Sequence, residues 1–105
     1  MERIAVLVAS SPTAPSAQRA FQLVRDFAAA GNQVVLGLIE DGVLGAAGRV
    51  AGVPLAEAAS VLVLSSDLAL RAVPLEALQP GCRPCGYPEI LEELMERCDR
   101  SLGAF

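Results

Sequence analysis

Residues 4–39 read IAVLVASSPTAPSAQRAFQLVRDFAAAGNQVVLGLI, and this stretch decides the fold. Ile4 to Ala9 (IAVLVA) is a continuous apolar run rich in β-branched residues, the pattern of a strand covered on both faces. Ser10-Ser11-Pro12-Thr13 breaks it. A helical period follows: Ala17, Ala20, Phe21, Val24, Phe27 and Ala28 share one face, with Arg19, Gln22 and Asp26 largely opposite. Pro15 suits the opening turn of that helix, and Gly31-Asn32 supplies a left-handed stop. Gln33 to Ile39 (QVVLGLI) is a second buried strand, ended by Glu40-Asp41-Gly42. A strand, a helix and a strand in so short a span make a βαβ unit, which crosses over right-handed to a parallel neighbour.

Outward from this unit the alternation continues. Val43 to Ala51 is small and punctuated by glycine, open to a short helix or a loop. Val53-Pro54 followed by Leu55 to Ala59 predicts a Pro-started helical turn. Val61 to Leu64 is a third strand, with Ser65-Ser66-Asp67 as the cap of a helix running through Leu68 to about Val73. Pro74 to Leu78 adds a further turn, and Cys82 to Tyr87 is extended or looping. Pro88 opens a last helix with Glu89, Glu92 and Glu93 near its positive end and Arg97 and Arg100 at its negative end. Ile90, Leu91, Leu94, Met95 and Cys98 form its apolar stripe, and Ser101 to Phe105 predicts a short final strand. No repeat or linker divides the 105 residues, so the expectation is a single α/β domain.

Composition narrows the chemistry by what is missing. Net charge is −4, with eight arginines and no lysine, so there is no basic stripe for nucleic acid. With no histidine, Ser-His and Cys-His nucleophile pairs and the commonest metal ligand are excluded. Without lysine there is no Schiff base and no phosphate-loop lysine. Hydrophobic residues make up 53%, yet charges interrupt every apolar run before the ~18 residues a membrane span needs. That apolar surplus points to an oligomer interface, and no signal peptide is read at Met1-Glu2-Arg3. Three cysteines without a secretory signal suggest a cytoplasmic, reducing location.

In open parallel sheets, ligands bind beyond the carboxyl ends of the strands. The candidate ligand-binding residues are therefore Ser10, Ser11, Asp41, Ser65, Ser66 and Asp67, although capping explains the last three equally well. Cys82 and Cys85 form a C-x-x-C motif with Arg83 inside it and a helix start beyond. A thiolate near positive charge and a helix dipole has a lowered pKa, so Cys85 is the candidate attacking sulfur and Cys82 its resolving partner. One C-x-x-C is half a zinc site, and Cys98 on the helix stripe is badly placed to complete it, so no metal or cofactor is expected.

Five stretches together resemble the DsrE/DsrF/DsrH (TusD/TusC/TusB) family: IAVLVASSP, AAAGNQVVLGLIEDGV, VLVLSSDLALRAV, CGYPEILEELM and CDRSLGAF. The resemblance spans nearly the whole chain in order. It implies a three-layer Rossmann-like domain with a mainly parallel sheet of about five strands. It also implies a homo-oligomer (trimer or hexamer), or a hetero-oligomer with related subunits, acting in sulfur relay through a cysteine persulfide. Catalytic members are expected to hold that cysteine at the end of the third strand. Here the matching residues are Leu64-Ser65-Ser66. Serine cannot carry a persulfide, so the resemblance points to a non-catalytic partner subunit or to a shifted nucleophile at Cys82 or Cys85.

Overall fold

A computed structural model describes residues 1–48, 52–103 and 105. Strand β1 (Arg3–Val8) leads to helix α1 (Pro15–Ala29) and strand β2 (Gln33–Leu38). A 3-10 helix (Glu40–Ala46) follows, then β3 (Ser60–Leu64), α2 (Ser65–Leu70) and a 3-10 turn (Leu75–Ala77). The chain closes with β4 (Cys82–Cys85), α3 (Tyr87–Glu92), a π-helical turn (Glu93–Arg97) and β5 (Arg100–Leu102). The five strands form one sheet in the order β4-β3-β2-β1-β5, and every neighbouring pair is parallel.

The apolar runs become strands buried on both faces. Ile4, Val6 and Val8 of β1 and Val34, Leu36 and Leu38 of β2 pack beneath Ala17, Ala20, Phe21 and Val24 of α1. The intervening residues Ala5, Val35, Leu62 and Leu64 face the other way and meet Ile90 of α3. With helices on both sides, the molecule has three layers. Pro15 does stand in the first turn of α1, and Gly31 takes the left-handed conformation (φ 91°) just beyond its end. Asn32 then locks the turn, its Oδ1 accepting from the Glu2 amide at 2.9 Å.

Several expected elements differ. The small residues after β2 form the 3-10 helix Glu40–Ala46, with Gly42 lying directly over β1, where a Cβ would collide with the Val8 carbonyl oxygen. The remainder of the Val43–Ala51 segment, from residue 49, lies outside the described residues. The single turn expected after Pro54 is present, the Ala58 amide donating to Pro54 O at 3.3 Å, and the Ala59 amide then donates to Val34 O at 2.8 Å, drawing the chain into β3. Helix α2 stops at Leu70, short of Val73, where Ala72 adopts a positive φ of 53°. The last helix winds its second half as a π turn, with hydrogen bonds five residues apart. This turn rotates less per residue, so positions four apart fall in line. Ile90, Leu94 and Cys98 reach the core, whereas Leu91 and Met95, expected on the same stripe, are exposed. Ser101 and Leu102 lie in β5, which begins one residue earlier at Arg100.

Candidate functional site

The loops at the carboxyl ends of β1, β2 and β3 hold the predicted ligand-binding residues, and the fold divides these into separate groups. Asp67 is not a cap on its own helix. Leu64 occupies the N-cap of α2 and no side chain caps it. Instead Asp67 Oδ2 accepts from the backbone amide of Glu40 at 2.6 Å, bridging from α2 to the end of β2. That amide belongs to a non-glycine residue held at φ 48°, and the carboxylate fixes it there. Arg71 completes the group: Nε donates to Asp41 Oδ1 at 2.9 Å, and Nη1 stands 3.5 Å from Asp67 Oδ1. Asp41 and Asp67 are thus brought together through a residue the sequence reading did not single out. The i, i+4 spacing of Asp67 and Arg71 on one helix was the signal available for it.

Ser10 and Ser11 sit apart from that cluster. Ser10 Oγ lies 2.8 Å from Ser16 Oγ and donates to the Phe105 carbonyl oxygen at 3.2 Å. Ser11 Oγ lies 3.3 Å from Thr13 Oγ1. Ser65, also proposed as a cap, occupies the first turn of α2, and its hydroxyl donates to the Cys85 carbonyl at 2.9 Å, tying β3 to β4. Ser66 is exposed. All the buried side-chain nitrogens and oxygens among the described residues have hydrogen-bond partners. Among the described residues no three Cys, Asp or Glu side chains converge as a metal-binding set.

The cysteines are separated by the sheet itself. Cys82 pairs with Val61 and packs toward the α1 face, while Cys85 pairs with Leu64 and is buried on the α3 face. Three steps along a strand place their Cα atoms ~10 Å apart, beyond the ~7 Å that a disulfide can span. The attacking-and-resolving arrangement expected of the C-x-x-C therefore has no geometry here, because a strand replaces the turn that would bring the sulfurs together. Burial pushes both thiols up, and for Cys85 the Glu89 carboxylate adds to the rise while Arg83 opposes it. A thiol held protonated is a poor nucleophile.

Cys98 lies at the opposite, amino-terminal end of the sheet. Its Sγ donates to Glu93 Oε2 at 3.5 Å, and Glu93 in turn receives both Nε and Nη2 of Arg3 at 3.1 Å. Glu93 is the one buried charged side chain among the described residues, and Arg3 holds its carboxyl below the usual carboxylate range. Burial, with the Glu93 carboxylate beside it, pushes the Cys98 thiol up to about 11. The sequence offered no signal for this triad, since Glu93 stood among acidic residues assigned to the start of the helix.

This all-parallel sheet of order β4-β3-β2-β1-β5, layered by helices, can be set beside known proteins. No family model and no curated protein sequence matches the chain. Among solved structures, the crystal structure of the ychN protein from E. coli is similar over 100% of both chains, with a TM-score of 0.68 and 16% sequence identity. The chain has a DsrE-like fold. The residue that follows β3 in this fold is Ser65, its hydroxyl committed to the backbone of β4. No helix among the described residues is long and apolar enough to cross a membrane.

Proposed function

We propose that this chain is a non-catalytic subunit of an oligomeric DsrE-like assembly associated with cytoplasmic sulfur relay. The observation that carries this reading is Ser65. The resembling family's active members are expected to keep a sulfur-carrying thiol at the end of the third strand, and here a hydroxyl hydrogen-bonded to Cys85 O stands in that place. Sulfane sulfur is accepted by a thiolate. Each of the three thiols is held toward its protonated form, which supports the reading that none substitutes for the missing one. The contribution of such a subunit is its surface.

Exposure of the native protein to a polysulfide donor, followed by alkylation and intact-mass spectrometry, tests this reading. The expected result is no sulfur adduct on Cys82, Cys85 or Cys98. A stoichiometric adduct on Cys85 would overturn it and favour a persulfide carrier that works without Cys82. Ser65→Cys supplies the internal control, since a thiol restored after β3 should take up sulfur that the native chain does not.

A further inference from the structure

Beyond the last paired residue of β1, several donors converge on one oxygen. The backbone amides of Ala9 and Ser10 donate to the Phe105 carbonyl oxygen at 2.7 and 2.9 Å, and Ser10 Oγ donates to the same atom at 3.2 Å. Ser16 Oγ, in the first turn of α1, lies 2.8 Å from Ser10 Oγ. Three donors exceed the two lone pairs of a neutral carbonyl, whereas an anionic oxygen accepts more. Two successive amides aimed at one atom form a nest, a backbone arrangement that takes anions. Its place, past the carboxyl end of a central strand, is where parallel sheets receive ligands. The Ser10–Ser16 contact sets the nest beside the amino end of α1, whose first turn carries no acidic residue and which no side chain caps. The helix dipole therefore adds positive potential that nothing in that turn offsets.

The occupant of the nest is weakly held. Phe105 follows β5, a three-residue strand at one edge of the sheet. Its amide donates to Leu7 O at 3.0 Å, and its half-buried ring packs against the α1-side core. Gly103 supplies the turn that leads there, at φ 71°, and a Cβ on Gly103 would collide with the Phe105 ring. A short edge strand and the residue beyond it open at a lower free energy than the core. Once Phe105 lifts away, two amides and a hydroxyl lose their shared acceptor.

We infer that the Ala9–Ser10 nest is a binding site for an oxyanion, the group that phosphates and carboxylates have in common, and that Phe105 is a strap competing for it. Amide resonances of Ala9 and Ser10, followed while inorganic phosphate or acetate is added at constant ionic strength, test it. Gly103→Val displaces the strap by sterics, and Phe105→Ala removes the ring that anchors it without straining the turn. In each variant the resonances should saturate at an anion concentration about tenfold lower than in the native chain, because a site occupied by its own strap binds in proportion to the fraction open. Adding Ser10→Ala to either variant should weaken binding severalfold. Saturation by phosphate alone assigns a phosphate ligand, by acetate alone a carboxylate, and by both the shared oxyanion. Shifts that never saturate, the same midpoint in the native and opened chains, or a midpoint indifferent to Ser10→Ala overturns the proposal.

Discussion

The two faces of the sheet are built from the same strands and covered very differently. On one, α1 runs for fifteen residues and buries Ala17, Ala20, Phe21 and Val24, joined by Val43 and Ala46 of the 3-10 helix and Leu68 of α2. On the other, a six-residue α-helix and a five-residue π turn contribute one fully buried apolar side chain, Ile90, and leave three large ones outside. The thick face draws its stability from apolar area. The thin face adds an ion pair, Arg3 with Glu93, where the thick face uses hydrocarbon.

Core truncation should give the largest separation between the faces. Phe21→Ala removes a fully buried ring beneath α1 and should cost about 4 kcal/mol in urea denaturation. Ile90→Ala should cost about 2 kcal/mol, the low end for its type, because a thin, partly exposed layer can collapse around the loss. Equal costs would erase the distinction between the faces.

The ion pair comes next. Glu93→Gln leaves the Arg3 guanidinium half-buried without its counter-charge, and a loss of roughly 2–3 kcal/mol is expected. The pH dependence has a definite sign. Arg3 holds the folded-state pKa of Glu93 below its unfolded value, so its contribution is complete above the ordinary carboxylate pKa of about 4.3 and disappears as pH falls through the lowered value. Glu93→Gln should therefore flatten the acid limb of a stability profile measured between neutral and strongly acidic pH.

Cys98 provides the alkaline counterpart. Its folded-state pKa is raised to about 11, so the folded protein retains a proton that the unfolded chain gives up. Stability should decline as pH rises from the ordinary thiol value of about 8.5 toward about 11. Cys98→Ala should make that decline shallower, leaving the part that the buried Cys82 and Cys85 contribute, and a profile the same with and without the thiol would mean that neither burial nor Glu93 holds the proton on Cys98. The smallest effect is expected at the other end of the sheet. Ser65→Ala removes one hydroxyl bond to Cys85 O and should cost about 1 kcal/mol, read as a shift in the denaturation midpoint at unchanged slope.

Much of this architecture was legible locally. The apolar runs IAVLVA, QVVLGLI and VLVL, the Ala/Phe period between the first two and the Pro and Gly stops determined three strands, α1 and a parallel sheet, because burial on both faces writes itself into consecutive residues. The missing histidine and lysine and the serine after the third strand were equally plain. Which polar groups meet was not. Asp67 reaches across to the Glu40 amide, Arg71 links it to Asp41, and Glu93 finds Arg3 ninety residues away, contacts set by strand order that no local pattern encodes. The C-x-x-C shows the same limit from the other side. Its spacing suggests a pair, but once those four residues extend as β4 the pleat sends the sulfurs to opposite faces, and tertiary pairing with β3 decided that.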